Sequence, residues 1–248
     1  MRVAVITPYY KEPVSYLRRC IDSVRRQTHH DVEHIMIADG HPQDWLDHEV
    51  VRHLRLDRSH ADFGNTPRAL GGLLAASEGF DAVCFLDADN WYDPQHVDSC
   101  VEAARAQQVD FVVSLRYFVR EDGSIMPLGV PEDVTGQHVD TNCFFLCRGA
   151  FHTLARWILM PRPMASLGDR FFLASLQADS LRQARTGRKT VNYLCTWASI
   201  FRALGEEPPA YAKEGIDTAP LGRWIAGLDA EARDQVSRLG GVEFGTAN

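Results

Sequence analysis

Along the first third of the chain, short apolar runs alternate with stretches whose apolar residues recur every three or four positions. VAVIT at residues 3–7 is continuous and stops at Pro8, the pattern of a parallel strand buried on both faces. Residues 13–27 place Val14, Leu17, Ile21 and Val24 at helical spacing, with arginines on the other face and Pro13 in the first turn. HIMIA at 34–38 predicts a second strand closed by Asp39-Gly40, and a third, shorter one is expected near 50–56. An Asp/Gly/Asn-rich loop at 57–65 leads to a helix from about 66 to 78. Gly71 and Gly72 weaken that helix, which implies close packing or a close backbone approach. AVCFL at 82–86 is the fourth strand, and Asp93-Pro94 opens a helix reaching about residue 107. This alternation predicts the α/β class, with a Rossmann-like, mostly parallel central sheet joined by right-handed crossovers.

The second half reads differently. FVVSLRYFVR at 111–120 is a long strand-like run, followed by a hairpin turn at 121–124. TNCFFLC at 141–147 predicts another strand, 149–159 a helix, 169 to about 181 a helix, and 190–195 a strand. Glu206-Glu207-Pro208-Pro209 interrupts the pattern, and residues 205–248 read as a peripheral helical tail. No internal repeat and no long linker divides the chain.

Composition narrows the classes. The 248 residues are 45% hydrophobic and 24% charged, ordinary for a globular protein that buries one large core. A net charge of −7, without long runs of like charge, argues against a nucleic-acid partner. The six cysteines are scattered and lack zinc-finger spacing, so free thiols in a reducing compartment are expected. The opening apolar run is too short for a signal peptide, and no span of ~20 apolar residues offers a membrane helix. The expectation is a cytoplasmic protein without a transmembrane segment, its peripheral contact with membranes left open.

The strongest chemical signal is Asp87-Ala88-Asp89 at the end of the fourth strand. Residues in this relation project to one side of an extended chain, and the carboxyl ends of strands are where open α/β sheets bind ligands. Two neighbouring carboxylates resist joint ionisation unless a cation intervenes. Mg²⁺ and Mn²⁺ are commonly held by one or two carboxylates plus substrate phosphates. A solvated turn capping the next helix would use the same residues.

Ordered blocks around this triplet separate the two readings. VITPYYKEPVSYLRRCIDSVRRQT at 5–28, HIMIADG at 34–40 and GNTPRALGGLLAASEGFDAVCFLDADNWYDPQHV at 64–97 resemble the family 2 glycosyltransferases. The resemblance runs from residue 3 to about 195. It implies the GT-A fold over residues 1–204, with a nucleotide-binding half at 1–97 and a mixed acceptor half at 98–204.

The resemblance also implies roles. Thr7, Pro8 and Tyr9 match the loop after the first strand, where an aromatic packs on the base; either Tyr9 or Tyr10 would serve. Asp39 matches the carboxylate that accepts a hydrogen bond from uracil, although the family's usual acidic pair is Ala38-Asp39 here. Arg68 matches the arginine that approaches the nucleotide or its phosphates, a task suited to a permanently charged fork. Asp87 is expected at the ribose or the metal-bound water, and Asp89 on the metal. SLGDRFFLASL at 166–176 resembles the element carrying the catalytic base, with Asp169 as the base and Gly168 where an acidic residue is common. Asn142 is a candidate for a sugar hydroxyl, and Trp91 and Trp197 are candidate sugar platforms. Some relatives add a C-terminal histidine ligand, but no histidine follows His152 here.

The expected reaction moves a sugar from a nucleotide-sugar, of the UDP type, to a glycan, lipid-linked or small-molecule acceptor. It would proceed by metal-assisted direct displacement with inversion. One rival is a sugar-phosphate nucleotidyltransferase, which the glycine-free loop TPYYKEP at 7–13 disfavours. The other is a non-catalytic sugar-nucleotide or glycan-binding module, favoured only by Ala38 and Gly168.

Overall fold

A computed structural model describes residues 1–128 and 138–240. Its centre is one eight-stranded sheet. Strands β1 (Val3–Tyr9), β2 (Val32–Ala38), β3 (Arg52–Arg55) and β4 (Ala82–Phe85) form the parallel half. All seven positions of β1 are buried, which is why its sequence shows no polar alternation. Helices α1 (Val14–Arg25), α2 (Asn65–Ser77) and α3 (His96–Gln107) connect and flank these strands.

The sheet then changes direction. The short strand β5 (Trp91–Tyr92) pairs antiparallel with β8 (Gln183–Leu194) at the far edge. Strand β7 (Phe144–Cys147) runs antiparallel to both β4 and β6 (Phe111–Val119), and β6 pairs parallel with β8. The spatial order is β3-β2-β1-β4-β7-β6-β8-β5. The sheet is therefore parallel in the first half and mixed in the second, as the sequence predicts.

Several elements differ from expectation. Residues Thr141–Cys143 form a 3-10 turn ahead of β7, because the Asp140 carboxylate accepts the Asn142 N–H at 3.0 Å. The helix expected at 149–159 is a 3-10 segment, Arg148–Thr153, followed by a single turn, α4 (Arg156–Leu159). Strand β8 begins well before residue 190. Its first half is polar and largely exposed around Gly187 at φ +67, so no apolar run announces it.

Helix α5 (Gly168–Ala178) follows a 3-10 turn at Arg162–Leu167. Beyond α6 (Ala198–Ala203), two helices, α7 (Ala219–Ala226) and α8 (Ala230–Gly240), fold back on the body. Val236 of α8 is buried in the main core, with Leu221 and Trp224 packed beside it. Residues 241–248 of the expected tail lie outside the described residues. No helix among those described is long and apolar enough to cross a membrane. All six cysteines are free thiols.

Candidate active site

The parallel half turns the ends of β1, β2 and β4 toward one edge, where a single cavity of about 1020 Å³ opens. Pro8, Asp39, Arg68, Asp87, Asp89 and Asp169 all line it. The first five come from the parallel half and Asp169 from α5, so the cavity joins the two halves of the sheet.

The two aspartates after β4 meet different surroundings. Asp87 accepts from Arg68 at 2.7 Å and from the Asn142 amide at 3.1 Å, while its backbone N–H donates to Asn142 Oδ1 at 2.6 Å. Arg68 is buried, shares a further bond with Asn65 Oδ1 at 3.0 Å, and lies over the Trp157 ring at 4.8 Å. Asp89 has no side-chain partner among the described residues. Burial, then the charges of Asp87 and Glu12, push its carboxyl up to about 7. A lone carboxylate destabilised by a neighbouring one fits a divalent cation, whose charge removes both penalties. No cluster of three or more His, Cys, Asp or Glu is present among the described residues. A divalent ion here would have the two aspartates as its side-chain ligands, with waters and substrate phosphates completing its shell.

A buried polar chain stands behind Asp87. Asn142, fully buried, also donates to Asp140 Oδ1 at 2.7 Å, and Asp140 pairs with Arg116. The Arg116 guanidinium lies 4.6 Å from the Phe118 ring centre and 4.3 Å from that of Tyr193. Burial raises the Asp140 carboxyl and Arg116 opposes that rise. Asp140 and Arg116 both line the cavity. Sequence reasoning missed them, although Asp140 adjoins the TN pair already singled out.

Asp169 sits in the first turn of α5, where the helix end favours an anion. Its Oδ1 accepts the Arg170 N–H at 2.7 Å, and its Oδ2 is 2.7 Å from His138 Nε2. His138 was not anticipated. Gly168 is closely packed: a Cβ there would meet Asn65 Oδ1 at 3.1 Å and Trp157 at 3.2 Å, so any side chain would require these neighbours to give by a few tenths of an ångström.

Three sequence-assigned residues, Thr7, Asn142 and Trp91, do not line the cavity. Thr7 is wholly buried, with its hydroxyl 2.8 Å from His34 Nε2, and does not line the cavity. Tyr9 and Tyr10 both line the cavity: Tyr9 is 2% exposed and its hydroxyl meets His53 Nε2 at 2.7 Å, while Tyr10 is 40% exposed. Asn142 faces Asp87 and Asp140 from behind, so it orders carboxylates rather than facing a ligand. Trp91 is covered by Arg19, whose guanidinium lies 3.9 Å from its ring centre; Trp197 is the tryptophan that lines the cavity.

At the base end, Asp39 accepts from the His60 N–H at 3.0 Å and from Ser59 Oγ at 3.1 Å, and lies 2.8 Å from His60 Nδ1. Gly40, at φ +78, permits this: a Cβ there would stand 2.3 Å from the Ser59 nitrogen. Asp39 thus holds the loop that walls the cavity. Ala38 is completely buried, where an aspartate would place a second charge in the core.

Comparison with known proteins agrees with this architecture. The glycosyl transferase family 2 profile matches residues 4–158. An uncharacterised glycosyltransferase of Methanocaldococcus jannaschii is 25% identical over 52% of this chain and 47% of its own length. The chondroitin synthase of Pasteurella multocida is 30% identical over 51% of this chain and 13% of its own length. The chain thus spans about half, or much less, of the curated relatives it matches. S. aureus TarS residues 1–349, crystallised with UDP-GlcNAc, superimposes with a TM-score of 0.63 at 15% identity, over 95% of this chain and 70% of that one.

Proposed function

The chain belongs to glycosyl transferase family 2, and on that premise we propose that it transfers a sugar from a UDP-sugar to an acceptor hydroxyl, with inversion. The observation that carries this reading is the meeting of Arg68, Asp87, Asp89 and Asp169 in one cavity. TarS, with the same fold, is crystallised with UDP and with UDP-GlcNAc, which supports a uridine nucleotide as the donor. The acceptor, whether a glycan, a lipid-linked sugar or a small molecule, enters from the Asp169 side.

In this mechanism Arg68 and Asn142 hold Asp87 in a fixed orientation, so its free lone pairs point at the donor without reorganisation. Asp89 and Asp87 would hold Mn²⁺ or Mg²⁺. When bound, the ion supplies positive charge against the diphosphate. Asp169 takes the acceptor proton as the acceptor oxygen bonds to the anomeric carbon. The bond from that carbon to the diphosphate oxygen breaks, and its electron pair leaves with the nucleotide. His138 orients the Asp169 carboxylate through its Nε2 contact.

A panel of nucleotide-sugars offered with Mn²⁺ tests this. Donor hydrolysis is expected with a UDP-sugar, and Asp169→Asn should lower transfer by at least about a hundredfold, the usual contribution of a positioned base. The nucleotide affinity should not change. Full transfer by Asp169→Asn would remove Asp169 as the base.

A further inference from the structure

We propose that Lys213, outside every family motif, is the cation that grips the diphosphate of the donor. The inference rests on the nucleotide-sugar reading of the cavity and assigns a further binding residue to it.

A nucleoside diphosphate entering this cavity brings negative charge to a wall already carrying several carboxylates. Most of the cavity's cations are committed. Arg68 is paired with Asp87, Arg116 with Asp140, and Arg162 donates to the His60 carbonyl at 2.7 Å. The Arg170 N–H donates to Asp169 Oδ1 at 2.7 Å, at the start of α5. Lys213 lines the same cavity, is exposed, and has no ion-pair partner among the described residues.

Its backbone is fixed. The Lys213 N–H donates to the Thr196 carbonyl at 2.6 Å, and its own carbonyl accepts the Ala198 N–H at 2.9 Å. These bonds form a parallel bridge between Lys213 and Trp197, another cavity residue. The returning tail is thereby clamped to the end of the sheet, and the ammonium stands on a rigid mount. Lys213 and Asp89 line the same cavity, and a diphosphate that shares an ion with Asp89 lies within it. A lysine ammonium is a compact point charge with three donors, suited to phosphate oxygens whose positions shift as a bond breaks.

The test is equilibrium binding of UDP and of uridine to the parent, Lys213→Ala and Lys213→Arg, in EDTA and in Mn²⁺. Lys213→Ala should weaken UDP about tenfold in both media, as expected for a hydrogen bond to a charged group. Uridine, which lacks phosphates, should bind it as it binds the parent, and Lys213→Arg should recover most of the UDP affinity. Lys189→Ala, removing an exposed lysine away from the cavity, controls for net charge. Undiminished UDP binding by Lys213→Ala overturns the inference and leaves the donor reading standing. An equal loss for UDP and uridine also overturns it, since that pattern reports a displaced tail. If the parent binds no nucleoside diphosphate, the donor reading itself fails and the inference falls with it.

Discussion

Asp87 is held by Arg68 and Asn142, whereas Asp89 is buried with no side-chain partner among the described residues, and burial beside Asp87 and Glu12 raises its carboxyl. A carboxyl raised to about 7 holds its proton in the folded chain where the unfolded chain has lost it. Between roughly pH 4 and 7 the native state therefore binds more protons, so this group's contribution to stability falls as pH rises through the folded value. A cation bound at Asp89 must displace that proton. The expected outcome is that Mn²⁺ affinity in the presence of UDP rises up to about tenfold per pH unit below 7 and levels off above it. Asp89→Asn should bind weakly and without that slope, as titration calorimetry at several pH values will read. At this scale Arg68, Asp89 and Asp169 all line the cavity, and each lies in a sequence block of fixed spacing that singles it out. Tyr9 and Tyr10 were not separable: β1 is buried on both faces, so alternation gives no parity from which to read the inward residue. Asp140, His138 and Lys213 reach the cavity through contacts between distant segments, which no local pattern carries.

Helix α2 shows what an element adds. It carries Arg68 into the cavity, and its distance from the sheet is set by Gly71, where a Cβ would stand 2.6 Å from both Ile6 and Ile37. The two glycines that weakened the helical pattern in the sequence are thus explained by contact: Gly72 would likewise meet Leu154 at 2.8 Å. Gly71→Ala gains up to about 1 kcal/mol of helix propensity and loses about 1–3 kcal/mol to overpacking. The expected net is a destabilisation of about 1–2 kcal/mol by urea denaturation, accompanied by weaker nucleotide binding as Arg68 is levered away from Asp87. Gly222→Ala on the exposed α7 is the contrast, because nothing lies near its Cβ, and it should be neutral or slightly stabilising. Elements with continuous apolar runs or clear helical spacing were legible to within a few residues, as β1, β2, β4 and α1 show. Those that failed lacked that signal. The first half of β8 is polar and exposed, and the turn before β7 depends on one side chain, Asp140, capturing a backbone N–H.

Across the whole molecule, the parallel half supplies one wall of the cavity, and α5 with the returning tail supplies another. A ligand that bridges these parts binds only the folded chain, so it must raise the melting temperature by mass action. At a ligand concentration of about 100 times the Kd, the gain is about 2.7 kcal/mol. For a chain of this size that corresponds to an upward shift of about 5–10 °C. UDP with Mn²⁺ is expected to give this shift, and UDP in EDTA a smaller one that comes from Arg68, Lys213 and the base-side wall alone. Asp89→Asn should reproduce the smaller shift in both media, because it removes the ion's place without touching the other contacts. If Asp89→Asn instead keeps the full Mn²⁺-dependent increment, the ion is held elsewhere. The unpaired carboxylate at the end of β4 would then need another explanation, such as a direct contact with the donor sugar.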